Sequence, residues 1–114
     1  MKYIDAISQV DNLLPNAFSQ EQKMQWLQNI EDKIYKEVVL THKTEVLEPN
    51  FEEEGFENNE LIAKSPYDNL YISYVIAMIF RHLNETVRYN NYMVIFNQEY
   101  QEFLNYYNRN NMPK

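Results

Sequence analysis

The stretch from Leu70 to Phe80, LYISYVIAMIF, decides the fold. Among its eleven residues only Ser73 lacks an apolar or aromatic side chain. A bilayer span needs roughly 20 such residues, so this run belongs inside a protein core. A helix apolar on nearly every face must be covered on several sides. The run therefore predicts a central helix over residues 67–83, entered through Ser65-Pro66. Ser can cap the helix, Pro suits the first turn, and Asp68 complements the positive helix end.

Working outward, the flanking segments supply covers for that helix. Met24, Leu27, Ile30, Ile34 and Val38 recur at helical spacing and predict a helix over 20–39. Ser19 and Gln22 form a capping-box pattern, with Phe18 in the staple position. Lys23, Gln28, Glu31, Asp32, Lys33 and Lys36 are assigned to the opposite, polar side, with Trp26 at the edge of the stripe. Ile4, Ile7, Val10 and Leu14 predict a shorter helix over 3–12, ended by Pro15 and Asn16. Downstream, Tyr89, Tyr92, Phe96, Tyr100, Phe103 and Tyr107 mark a last helix over 86–107, with Met93, Ile95 and Leu104 widening its stripe. Asn84 either separates this helix from the central one or lies within a continuous helix. Residues 108–114 carry no apolar pattern beyond Met112 and are expected to form a flexible tail. The expected core joins Leu27, Ile30, Ile34, Tyr74, Ala77, Met78, Phe96 and Phe103. The fold class is all-α: one domain over 1–114, a bundle of about four helices, with an acidic loop or short β-hairpin between the second and third.

That connection, residues 43–64, holds the charge of the protein. Of 17 acidic residues, seven are Glu45, Glu48, Glu52, Glu53, Glu54, Glu57 and Glu60, and no Lys or Arg lies between Glu45 and Glu60. The net charge of −7 is thus the charge of the stretch from Glu45 to Glu60, because the other 10 acids balance 10 bases. Val46–Leu47 and Leu61–Ala63 are its apolar patches; they either pair as a hairpin or sit in a disordered loop of like charges.

Composition excludes much chemistry. With no cysteine there is no disulfide framework, thiolate zinc site or thiol nucleophile. Gly55 is the single glycine, so no glycine-rich phosphate loop can be written. Arg81, Arg88 and Arg109 are scattered, which argues against a DNA-gripping surface. Met1–Val10 alternates polar and apolar residues, so no signal peptide is expected. His82 and Glu85 have helical spacing, but a di-metal site needs further carboxylates on facing helices, and Glu31, Asp32 and Glu37 are assigned to polar faces. Glu37 and His42 straddle a helix end, where a histidine caps carbonyls. No serine sits in a glycine-flanked turn that would make a nucleophile. Consecutive Glu52, Glu53 and Glu54 point in several directions at once, which suits solvation rather than a Mg²⁺ site. No catalytic, cofactor or metal site is expected, and the protein is read as non-enzymatic.

Two features suggest contacts instead. Arg81, Glu85 and Arg88 form one charged ladder if the helix runs through Asn84, either as an intrachain salt-bridge stripe or, with Tyr89, as a subunit interface. Ten tyrosines without a basic groove suit helix–helix and subunit contacts better than base stacking.

The stretch PNAFSQEQKMQWLQNIEDKIYKEV and the later LIAKSPYDNLYISYVIAMIFRHLNETVRYNNYMVIFNQEYQEFLNYY resemble the small head–tail connector (adaptor) proteins of long-tailed bacteriophages and prophages of Gram-positive bacteria. Pro66-Tyr67-Asp68 before Leu70-Tyr71, and Glu85 to Asn91 before Phe96-Asn97, carry the resemblance most clearly; Phe80 departs from it, where a polar or acidic residue is expected. The resemblance implies a helical protein of the virion, assembled in the host cytoplasm. It implies a ring on the twelvefold portal that extends the DNA channel, helps retain the genome and meets a tail-proximal head-completion protein. DNA would pass through without specific binding, and no membrane is involved. In such a ring the acidic segment would line the channel, face solvent, or dock a basic patch on a neighbour. The alternative is an acidic helical interaction module that binds a basic protein partner.

Overall fold

The computed structural model describes residues 1–40 and 48–110. Its four helices are α1 (Tyr3–Leu13), α2 (Gln20–Ile34), α3 (Asn69–His82) and α4 (Thr86–Asn110). The architecture is an all-α bundle of four helices, as the periodicity predicts.

Local chemistry sets most boundaries. The Lys2 amide donates to the Asp5 carboxylate at 3.2 Å, closing the entry to α1. The Ser19 hydroxyl accepts from the Gln22 amide at 3.1 Å, so Ser19 caps α2. α2 then passes into a π-helical turn, Tyr35–Val39, where the Leu40 amide donates to the Tyr35 carbonyl at 3.0 Å. This wider turn buries both Val38 and Val39.

α3 starts later than expected. Ser65 does not cap it; residues 64–68 form turns, with the Tyr67 amide on the Lys64 carbonyl, and Asp68 takes the cap position without a side-chain bond. At its other end the Asn84 amide donates to the Arg81 carbonyl and the Glu85 amide to the Phe80 carbonyl, with Asn84 at φ +60°. This is a Schellman ending, with asparagine in the left-handed position that glycine usually holds. The helix breaks there, so Arg81 and Arg88 belong to different helices.

α3 is central. Leu70, Tyr71, Val75, Ala77 and Ile79 are fully enclosed. α1 and α2 cover one side of it and α4 runs along another. The expected core is present: Leu27, Ile30, Ile34, Ala77, Met78, Phe96 and Phe103 are buried, and Tyr74 packs against them partly buried. At the edges of the stripes, Trp26 packs as expected and Ile95 is a correction. Trp26 is buried, in ring contact with Phe18 and His82 at 5.4 and 5.0 Å. Ile95 is exposed, because α4 has no partner helix on that side. The tail assignment also shifts, since α4 continues through Asn110.

The connection between α2 and α3 holds a single 3₁₀ turn among its described residues, Phe56–Asn58, entered through Gly55 at φ +79°. The Val46–Leu47 half of the possible hairpin lies outside the described residues. The other half runs instead beside the chain start. Glu60 bridges to Lys2, the Leu61 amide donates to the Met1 carbonyl at 2.9 Å, and the Met1 amine meets Glu60 at 2.9 Å.

Candidate functional site

The most concentrated polar chemistry lies under the acidic segment, at a residue assigned above to a polar face. Glu31 is wholly enclosed. Its Oε1 accepts from the Tyr71 hydroxyl at 2.7 Å. Its Oε2 accepts from the Ile62 amide at 2.9 Å and the Tyr3 hydroxyl at 3.3 Å. The Tyr71 hydroxyl in turn accepts from the Ala63 amide at 2.9 Å. α1, α2, α3 and the end of the acidic segment therefore meet at one carboxyl group. Burial pushes Glu31 from the ordinary 4.5 up to about 7, against the opposing pull of its three hydrogen bonds and the Lys64 charge. Burial and the neighbouring Glu31 likewise push the Tyr3 and Tyr71 hydroxyls well above the usual tyrosine range.

The signal for Glu31 is present in the sequence. It follows Leu27 by four residues and precedes Ile34 by three, which places it within the apolar stripe of α2. Lys23, four residues before Leu27, lies in the stripe too. It is buried, and its Nζ binds Asp11 at 2.7 Å and Asn16 at 3.3 Å. Assigning both to the solvent side on side-chain type alone is the error, and the structure corrects it.

Above Glu31 is a cavity of about 440 Å³. Tyr3, Phe51 and Phe56 form its aromatic wall, with ring centroids 5.7–6.4 Å apart in edge-on contacts. Glu48, Glu53, Glu60 and Lys64 line it as well.

The seven glutamates of the acidic segment divide into four groups, of which Glu48 at the cavity rim is one. Glu45 lies outside the described residues. Glu60 is tied to the Met1 amine and, at 3.7 Å, to Lys64; the amine holds its carboxyl below the usual carboxylate range. Glu52, Glu53, Glu54 and Glu57 have no cationic partner within 4 Å among the described residues.

The ladder is not brought together as one stripe. Arg81 closes α3 and lines a separate cleft with Trp26 and Tyr74. Glu85 precedes α4 and pairs with Arg88 at 3.6 Å. Arg88 also lies over the Phe80 ring at 5.5 Å, which gives the departing residue a role within the chain. Tyr89 is half-buried against the core. The His82 ring meets the Met78 carbonyl at 2.9 Å. Glu37 accepts from the Tyr100 hydroxyl at 3.2 Å, while His42 falls outside the described residues. Among the described residues no three His, Asp or Glu side chains gather as a metal site, and no helix is long and apolar enough to cross a membrane.

α4 presents the other candidate surface. Only Phe96, Phe103 and Tyr107 of its 25 residues are buried. Its outer side exposes Val87, Val94 and Ile95 among Asn91, Gln98, Gln101, Glu102 and Asn105. Glu99 is turned inward, where it accepts from Ser73 and, at 2.6 Å, from Asn69 on α3. Set against family models, curated proteins and solved structures, the chain matches none.

Proposed function

We propose that the protein is a structural adaptor at the junction of head and tail in a long-tailed bacteriophage, forming a ring on the portal and extending the DNA channel. The observation that carries this reading is the outer side of α4. A long helix that packs mainly on α3 and exposes valines and amides, with Glu102 the charge among them, suits side-by-side contact between copies. The sequence resemblance gives that contact its setting. Arg81, Glu85, Arg88 and Tyr89, at the α3–α4 junction, extend the proposed subunit boundary. The partners are further copies of the chain, the portal, and the head-completion protein on the tail side. The site of action is the virion.

The unpaired Glu52, Glu53, Glu54 and Glu57 favour a second reading, an acidic module that captures a basic protein. Mixing the purified protein with portal particles separates the two. A portal-bound ring visible by electron microscopy supports the adaptor. Failure to bind portal, with a soluble stoichiometric complex formed on a basic protein, supports the module. Within the adaptor reading, Arg88→Glu is expected to impair ring assembly on portal while the monomer keeps its helical circular dichroism. Unchanged rings would return Arg88 to its contacts with Glu85 and Phe80.

A further inference from the structure

Val87, Asn91, Val94, Gln98, Gln101 and Asn105 of α4 are spaced alternately by four and three residues, and none carries a charge. All of them are exposed. At about 100° per residue this stripe runs along the side of the helix opposite Phe96, Phe103 and Tyr107, the residues that α4 buries. Alternating four-and-three spacing is the seam of a two-helix coiled coil. Asn91, Gln98 and Asn105 hold the first core position of each heptad, and Val87, Val94 and Gln101 the fourth. Within the chain α4 packs mainly on α3, away from this seam. We propose that the second helix of the seam is α4 of another copy of the chain, running antiparallel.

The seam is complementary to itself in one register. An antiparallel pair layers first core positions of one helix against fourth positions of the other. Setting Val94 against Gln98 of the second copy also sets Asn91 against Gln101 and Val87 against Asn105, and two-fold symmetry repeats each layer. The Asn91 and Gln101 amides each offer the other a donor and an acceptor. Ile95, exposed at 44%, then lies beside Ile95 of the second copy at the symmetry axis, next to both Val94 side chains. Arg88 falls beside Glu102 of the second copy, and this pair also occurs twice. Within one chain Glu102 has no cation within 4 Å among the described residues, and the Arg88 side chain is 63% exposed. Sliding the register one heptad one way opposes Arg88 to Arg109; sliding it the other way shortens the seam. Amide layers fix register at a cost in stability, so the pair is weak and reversible. A two-fold contact closes on itself and does not extend into a ring. The inference rests on the adaptor reading only for α4 as the surface between copies. It assigns the pair to the chain free of portal, and the pair parts before the same surface meets its ring neighbour.

Sedimentation of the purified protein over a range of concentrations tests the pair, with cross-linking to give its geometry. The unsubstituted chain is expected to pass from monomer to dimer and no further. Val94→Glu is expected to stay monomeric with unchanged helical circular dichroism, since Val94 is 68% exposed. Arg88→Glu is expected to weaken the dimer about tenfold, and adding Glu102→Arg to restore it. The chain has no cysteine, so introduced thiols report cleanly. With a short bis-maleimide, Ile95→Cys is expected to link to its own copy, and Val87→Cys only to Asn105→Cys in a mixture of the two. A monomer at every concentration up to about 1 mM would overturn the proposal. So would species that grow past the dimer, which mark a head-to-tail contact, or Val87→Cys linked to itself, which marks parallel helices. Failure of Glu102→Arg to rescue Arg88→Glu would overturn the register, and the proposal with it. Rings on portal from a chain that is monomeric when free would keep the adaptor reading and discard the pair; a dimer that never binds portal would do the reverse.

Discussion

At the scale of the residue, Glu31 shows how position outranks side-chain type. A carboxyl group with neighbours at helical spacing on an apolar stripe goes where the stripe goes, and the fold must then satisfy it. Tyr3, Tyr71 and the Ile62 amide do so. The cost appears in pH dependence. Because burial raises the folded-state value from 4.5 to about 7, the native state binds the proton more tightly than the unfolded chain. The stabilising contribution is full below about 4.5 and is lost as pH rises to about 7. Its size is on the order of 3 kcal/mol. Urea denaturation of the unsubstituted protein, minus that of Glu31→Gln, is expected to show this decline across the interval; a parallel pair of curves would show that Glu31 titrates normally. Ile30, one position earlier, is a simpler case. It is buried at 2% exposure, and Ile30→Ala is expected to cost roughly 2–5 kcal/mol in the same assay. A loss under about 0.5 kcal/mol would contradict its place in the core.

At the scale of the element, the α3–α4 junction is decided by one backbone conformation. Asn84 at φ +60° turns the chain through a Schellman ending, and this separates what would otherwise be a continuous charged ladder. Asparagine tolerates that region better than other residues with a β-carbon, though less well than glycine. Asn84→Ala is therefore expected to destabilise by about 1 kcal/mol, while Asn84→Gly is neutral or slightly stabilising. Thermal melts of the pair check this; equal losses would mean that the asparagine side chain, and not its φ, holds the turn. The spacing of Arg81, Glu85 and Arg88 was compatible with both a broken and a continuous helix, because four-and-three spacing is blind to a break between its members. The π-helical turn at Tyr35–Val39 was likewise unreadable, since the apolar period alone does not distinguish a widened turn from an ordinary one.

At the scale of the whole molecule, the charge is local and the proposed assembly surface is elsewhere. Replacing Glu52, Glu53, Glu54 and Glu57 with Gln removes four charges and takes the net charge from −7 to −3. At low ionic strength the variant is expected to be more stable by roughly 0.5–1 kcal/mol, with the difference closing at high salt as screening replaces it. A difference that persists at high salt would point to contacts rather than repulsion. Within the proposed ring, normal assembly with slowed DNA ejection from particles carrying this variant places the segment in the channel; failed joining places it against a neighbour. Sequence by itself determined the four helices, the centrality of Leu70–Phe80, most of the core and the confinement of net charge to one segment. Those properties follow from the local spacing of apolar side chains and from counting. Only the tertiary structure decided that Glu31 and Lys23 are inside, that Ile95 is outside, and that residues 60–63 lie against the chain start and over a buried carboxyl. Each of these depends on which neighbour covers a given face, and in a bundle the covering partners are distant in sequence: Glu31 meets Tyr3 and Tyr71 from 28 and 40 residues away.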